Sequence, residues 1–453
     1  MSSLRYYSTN LKAPKVSFRE ALLKGQAPDK GLYLPELIPS LSVAERTVFS
    51  GQEYHEVAYT IAHKFLHAEL PADVLFALVK DAYDYVIPLE QIYDNKYVMR
   101  LDQGPTASFK DFAARLMGRL MQYYLKQENK KLLILTATSG DTGSAIANAF
   151  YGLTNIEVIV LFPQSEVTPR QRKQMTTLGR NIRIIALDAK FDDCQALVKQ
   201  AFSDPALSHL HLSSANSINI GRLLPQSMYY VYAHAKLADN PDQPVIFSVP
   251  SGNFGDMMGG LLAKRMGVPV KKFVIATNAN DEFPRFIQNG EYHKIVPSKN
   301  CLSSAMNVGH PSNLARVVAL YGGNMDETGQ IGKLPDLGKM RSDMHAVSVA
   351  DVATQRTIKQ VYDTYGALLE PHGAVGWAGL NDYLFKHPEQ DTADQLCVSL
   401  ETAHPAKFPE LIQKTLGIDP ELPPSLMGLD DKQESYETME NDYNAFRELL
   451  KKQ

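Results

Sequence analysis

With 453 residues the chain has room for about two or three domains, and 44% hydrophobic with 21% charged residues is ordinary globular usage, which excludes both a single small module and a disordered polymer. The 46 Lys+Arg against 50 Asp+Glu leave a formal charge of −4 with no basic block, so nothing marks a nucleic-acid partner. Cys194, Cys301 and Cys397 form no CxxC pair, residues 1–10 lack a signal-peptide core, and no apolar run nears the roughly 18 residues of a membrane span, so a soluble, cytoplasmic protein without membrane contact is expected.

Residues 1–93 mix Tyr-rich and Pro-punctuated pieces with two helical stretches, Val16 to Leu23 and Tyr54 to Leu66, and read as an N-terminal extension. From Lys131 short apolar runs alternate with turns and helical periodicity. Leu132 to Leu135, Glu157 to Phe162 and Ile182 to Leu187 are expected strands, each followed by a helix: Ala145 to Phe150, Pro169 to Thr177 and Cys194 to Phe202. A second series begins with Val245 to Val249, continues through a helix at Met257 to Met266, and reaches Phe273 to Thr277. This alternation predicts parallel α/β construction, with a first α/β domain over 94–240 and a second over 241–453.

Asn278 to Met344 is rich in Gly, Pro, Asn and Asp and is expected to be loops with short helices around a functional face. Asp351 to Tyr365 reads as a helix closed by Gly366, and Leu396 to Leu400 as a buried strand delivering a polar loop. Asp430 to Tyr436 is expected to be a solvated connection to a terminal helix. No residue pattern sets an oligomeric state, and no His spacing such as HExxH indicates a metal.

Four segments carry possible chemistry. Gly104-Pro105-Thr106-Ala107-Ser108-Phe109-Lys110-Asp111-Phe112 sets a lysine among small and aromatic residues ahead of a helical run. Such a lysine is ordinarily a surface residue; its alternative is a Schiff-base lysine, whose amine is made nucleophilic by an apolar setting. Thr138-Ser139-Gly140-Asp141-Thr142-Gly143 is either a capped turn or a loop whose backbone N–H groups meet an anion. Pro250-Ser251-Gly252-Asn253-Phe254-Gly255 repeats that arrangement, with Asp256 as a carboxylate that competes with a bound phosphate unless it points away. Neither loop is a Walker loop or a GxGxxG turn. Glu401-Thr402-Ala403-His404-Pro405-Ala406-Lys407-Phe408 brings hydroxyl, imidazole and ammonium groups to one loop, where His404 reads more readily as structural than as catalytic.

Taken together these segments resemble the threonine synthase family, pyridoxal-phosphate enzymes of the tryptophan-synthase-β fold type. Tyr6 to Asn10, Val16 to Phe18, Ala27 to Pro35, Gln174 to Thr177, Phe191 to Gln195 and Asn216 to Asn219 extend the resemblance over nearly the whole chain. It implies two mainly parallel-sheet α/β domains with pyridoxal 5'-phosphate between them and Lys110 bound covalently to it. It further implies that Ser251, Gly252, Asn253, Phe254 and Gly255 hold the cofactor phosphate and that Thr402 faces the pyridine nitrogen. Ser139, Gly140, Asp141 and Thr142 would hold the substrate carboxylate, and Arg170, Lys173 and Arg222 the substrate phosphate. The implied reaction is γ-elimination with β-replacement on O-phospho-L-homoserine, giving L-threonine. A hydroxyl at the ring nitrogen would leave the ring largely unprotonated and favour elimination and replacement over transamination. Two departures from the family pattern are Ala107-Ser108 and Glu401, the second placed to alter charge around that nitrogen. The rival readings are a dehydratase of the same fold type, a phospholyase that releases phosphate without threonine, and a non-catalytic binding protein.

Overall fold

The computed structural model describes residues 3–138 and 140–452, and only the backbone of Asp192. Two sheets organise the chain. The larger has six strands in the order Met344–Ser348, Val270–Thr277, Val245–Pro250, Leu396–Glu401, Lys96–Arg100 and Leu89–Tyr93, parallel throughout except for the last pair. The smaller has five parallel strands in the order Glu437–Met439, Ile182–Leu187, Ile156–Pro163, Leu132–Ala137 and Leu212–Ser213. Leu132–Ala137 and Val245–Pro250 are buried at every residue, which is why they read as unbroken apolar runs. Helices cover both faces of a sheet built this way.

The sheets interleave in sequence more than a division at residue 240 allows. Leu89–Tyr93 and Lys96–Arg100 pair into the larger sheet, and the chain returns at its end to add Glu437–Met439 to the smaller. The connection expected to be solvated is instead docked: Arg172 forms a two-pronged pair with Glu434 at 2.8 and 2.8 Å, and the Ser435 N–H donates to Thr176 O at 2.7 Å. The terminal helix Tyr443–Leu450 then buries Phe446 and Leu450 in the same core as Cys194 and Leu197.

The expected elements are found within a few residues of their bounds, and Ile182–Leu187 and Asp351–Tyr365 coincide with them. Two long helices lie outside the expected elements. Ile220–Leu237 contains Pro225, which the pattern treats as a breaker, yet Asn219 caps its start by accepting from the Gly221 N–H. Pro371–Lys386 is buried on every side over its first ten residues, so no amphipathic stripe shows there, and Glu370 caps it by accepting from the His372 and Gly373 N–H groups. The N-terminal extension adds the strand pair Tyr6–Ser8 and Tyr33–Pro35 and packs into one core with the Lys110–Glu128 and Ile220–Leu237 helices. No helix of the described residues is long and apolar enough to cross a membrane.

Candidate active site

Parallel strands deliver their following loops to one edge, and here Thr138, Ser251 and Thr402, each just past a strand end, line one cavity of about 610 Å³. Lys110 opens a helix beside it. The residues before Lys110 are fixed by Asp111, whose buried carboxylate accepts from the Thr106 N–H at 2.8 Å and the Thr106 hydroxyl at 2.6 Å. Gly104 is required there, because a Cβ would lie 2.4 Å from Asp111 Oδ2. The segment is also zipped to the 401–408 loop: the Phe109 N–H donates to Thr402 O at 2.9 Å and the His404 N–H to Ala107 O at 3.1 Å. Lys110 Nζ sits 4.5 Å from the Phe109 ring centroid and 3.9 Å from Asp141 Oδ2.

Burial pushes the Lys110 ammonium down to about 8, with Asp141 opposing and Lys407 and Arg222 adding to the shift. Asp141 is itself desolvated, but Lys407 and Lys110 overcome that and hold it well below the usual carboxylate range. Lys407 is completely buried and donates to Asp141 Oδ1 at 2.6 Å and to Thr106 O at 2.9 Å. Lys407 therefore neutralises Asp141 and leaves Lys110 free to lose its proton.

In the 138–143 turn, Thr138 Oγ1 accepts from the Gly140 N–H at 2.9 Å and the Gly143 N–H at 2.7 Å. Gly140 has φ +129°, and a Cβ there would strike the Gln171 side chain. Gln171 in turn donates to Asp141 Oδ1 at 2.9 Å. Asp141 and Thr142 line the cavity, Gly140 shapes the turn, and Ser139 lies outside the described residues.

Ser251, Gly252, Asn253, Phe254 and Gly255 all line the same cavity. Phe254 adopts a left-handed conformation at φ +61°, and no side chain caps the Gly255–Met266 helix that follows, so its first-turn N–H groups remain available. Asn253 holds the loop by donating to Ser217 Oγ at 2.6 Å and accepting from the Ser312 N–H at 2.7 Å and hydroxyl at 2.9 Å. The Asp256 carboxylate turns aside, accepting from Tyr229 and Tyr230 hydroxyls at 2.6 and 2.7 Å, and burial raises it to about 6 despite those bonds. An uncapped helix start without a competing carboxylate suits a phosphate.

Thr402 Oγ1 donates to Glu370 Oε1 at 3.3 Å. Glu370 also accepts from the Gly373 N–H at 2.9 Å and from His372, whose Nε2 receives the Ala305 N–H at 3.0 Å, so Nδ1 carries the ring proton. The carboxylate in contact with Thr402 is thus Glu370. Glu401 points instead at the Glu370 N–H, with Arg100 at 3.5 Å, and burial followed by repulsion from Glu370 raises it well above the carboxylate range. His404 Nδ1 accepts from the Ala406 N–H at 3.2 Å at the start of a short helix, and burial takes it down to about 4; its role here is structural.

Of the three cations considered for a substrate phosphate, Arg170 and Lys173 are tied to Ala406 O and to Asp430, whereas Arg222 lines the cavity. Lys407, Glu370, His372, Gln171 and Ser217 escaped the sequence reading as functional residues. Among the described residues no group of three or more His, Cys, Asp or Glu side chains is placed to hold a metal ion.

A cavity with a readily deprotonated amine and an open helix start fits a small molecule that carries both a carbonyl and a phosphate. The comparisons agree. The pyridoxal-phosphate dependent enzyme family matches residues 86–400, the threonine synthase N terminus residues 5–83 and the threonine synthase C-terminal region residues 373–450. Threonine synthase of Haemophilus influenzae is 40% identical over 98% of this chain and 99% of its own. Pyridoxal-phosphate-bound threonine synthase of Brucella melitensis superposes with TM-score 0.92 at 36% identity over 99% of both chains. The yeast enzyme does so with TM-score 0.89 at 30% identity, over 100% of this chain and 99% of its own. The chain belongs to the threonine synthase family of pyridoxal-phosphate-dependent enzymes.

Proposed function

We propose that the chain converts O-phospho-L-homoserine and water into L-threonine and inorganic phosphate, the last step of threonine biosynthesis. The observation that carries this reading is the buried Lys110 amine, lowered to about 8, sharing one cavity with the uncapped 251–255 loop. Lys110 would hold pyridoxal 5'-phosphate covalently, Ser251 to Gly255 would receive its phosphate, and Thr402 would lie on the side of its pyridine nitrogen, all of them on one cavity. When bound, the cofactor supplies the electron sink that acidifies the substrate Cα and Cβ protons.

Lys110 does the proton work. Its Nζ would take the proton from Cα and assist transfer at Cβ, which an unprotonated amine near neutral pH can do. Ser139 to Thr142 are the residues assigned to the substrate carboxylate; of these the Asp141 and Thr142 N–H groups and the Thr142 hydroxyl would orient it, since the Gly140 N–H is held by Thr138 Oγ1. The Asp141 side chain is committed to Lys407 and Gln171 and contributes through those partners. Arg222 is buried, donates to Ala215 O at 2.8 Å, and has no carboxylate within ion-pair distance among the described residues, so of Arg170, Lys173 and Arg222 it is the one on the cavity that can meet the substrate phosphate. A cytoplasmic, reducing compartment goes with this reading, supported by three unpaired cysteines.

Purified, cofactor-loaded protein incubated with O-phospho-L-homoserine is expected to form threonine and inorganic phosphate in equal amounts. Phosphate without threonine would make it a phospholyase, and the absence of both products would overturn the assignment.

A further inference from the structure

Arg316 lies in the Leu314–Leu320 helix among apolar neighbours and is completely buried. All of its hydrogen bonds go to neutral oxygens. Nε donates to Tyr33 O at 3.1 Å, Nη1 to Ser217 O at 3.1 Å and Asn313 Oδ1 at 2.6 Å, and Nη2 to Ile218 O at 2.6 Å. Burial brings its pKa down to about 9, with no carboxylate among the described residues countering it. Four carbonyl oxygens solvate a guanidinium but do not neutralise it, and an unpaired charge of this kind is costly to bury.

Its surroundings show where a counter-charge belongs. The Ser217 whose carbonyl it holds is the residue whose hydroxyl receives Asn253, and Asn253 in turn receives Ser312. A Cβ at Gly255, the first residue of the uncapped helix, would lie 3.5 Å from Ser217 Cβ and 3.8 Å from Asn313 Nδ2. That Asn313 amide nitrogen is buried and has no partner, while the oxygen of the same side chain is spent on Arg316. Three stretches distant in sequence therefore converge behind the 251–255 loop around one uncompensated positive charge: Tyr33 from the N-terminal extension, Ser217-Ile218, and Asn313 with Arg316.

We propose that Arg316 is a positioning residue for the cofactor phosphate: from one layer behind the Ser217–Asn253–Ser312 cradle it fixes the cradle's geometry and biases the site toward a dianion. The dianion is in turn the counter-charge that makes a bare buried guanidinium tolerable, since attraction between charges is weakly screened in a protein interior. This rests on the assignment of residues 251–255 to the cofactor phosphate. It also gives the N-terminal extension a share in cofactor binding, through Tyr33 O.

The test compares pyridoxal phosphate with pyridoxal, the same aldehyde without the phosphate, titrated into full-length cofactor-free protein while absorbance follows their bond to Lys110. In the wild type the phosphate ester binds far more tightly. Arg316→Gln is expected to weaken pyridoxal phosphate by at least about tenfold, about 1.4 kcal/mol, and to leave pyridoxal within about twofold. Arg316→Lys, which keeps the charge, restores most of the difference. Equal losses for both aldehydes in Arg316→Gln would reduce Arg316 to a scaffold residue, and no loss would remove it altogether. Should Arg316→Gln not fold, Arg316→Lys decides: the ratio of the two affinities stays within about threefold of wild type, and a tenfold fall overturns the proposal. Equal affinity for both aldehydes in the wild type would instead refute the assignment of 251–255 itself.

Discussion

In the 138–143 loop the charges form a matched set. Asp141 sits between Lys407 at 2.6 Å and Lys110 at 3.9 Å, the first two buried and Lys110 nearly so. The 250–255 loop offers instead an amide, a hydroxyl and open backbone N–H groups, with Asp256 turned to two tyrosines and Arg316 unpaired behind it. The first arrangement sets the protonation of an amine the protein owns. The second holds donors and a cation with no anion beside them among the described residues. Both loops join a strand to a helix at a sheet edge, so the shared geometry makes sites and the side chains decide what each can do.

The comparison is broken most severely at Lys110. Lys110→Ala is expected to lower turnover by on the order of 10³-fold or more and to abolish covalent attachment of the cofactor, measured by product formation and absorbance. Retained wild-type rates would end its assignment.

Asp141→Asn should then separate the paired loop from the unpaired one. It strands Lys407 without a counter-charge and is expected to cost about 3–5 kcal/mol in denaturant unfolding. Removing Asn253, a neutral bridge, should cost only about 1–2 kcal/mol there while weakening pyridoxal phosphate by about tenfold. The reverse order of stability losses would contradict the contrast.

The amine's titration sharpens it further. The Lys110 value of about 8 lies below the ordinary 10.5, so the unfolded chain binds more protons between those values, and stability from this group rises with pH across that window. The rate of covalent cofactor attachment should accordingly rise with a midpoint near 8, and a midpoint near 10.5 would refute a tuned amine. Asp141 favours the charged form, so Asp141→Asn should move that midpoint lower still. Thr142→Ala is expected to raise the Michaelis constant for substrate several-fold while leaving the cofactor spectrum unchanged.

The smallest effect is expected at Glu401. Its carboxyl is already pushed toward the neutral form by burial and by Glu370, and a glutamine oxygen can still accept the Glu370 N–H, so Glu401→Gln should stay within about 1 kcal/mol of wild type. A large loss would show that Glu401 works as a charge.

These contrasts also separate what is legible in the sequence from what is not. Lys110, the two strand-to-helix loops and Thr402 are visible because each sits in a short run of unusual residues directly after an apolar strand or ahead of a helix. Val245–Pro250 is visible because burial on both faces leaves an unbroken apolar run. The same burial hides Pro371–Lys386, whose periodicity is erased over the first ten residues because they are enclosed on every side. Lys407 is part of a recognisable loop, yet its role depends on meeting Asp141 from the other sheet, a contact that only the tertiary structure makes. Arg316 leaves a single local sign, a cation inside the apolar helix Leu314–Leu320, and its partners beyond the neighbouring Asn313 come from two distant stretches, Tyr33 and Ser217-Ile218. The interleaving of the sheets is equally silent, because the local pattern of Lys96–Arg100 and Glu437–Met439 does not specify which sheet they join.

The central claim is that the buried amine of Lys110 is where the cofactor is held. Borohydride reduction of the loaded protein, followed by peptide mapping, tests it directly: the account predicts the cofactor fixed on the peptide carrying Lys110 and on no other lysine. Label on Lys407 or on a surface lysine, with Lys110 unmodified, would contradict it.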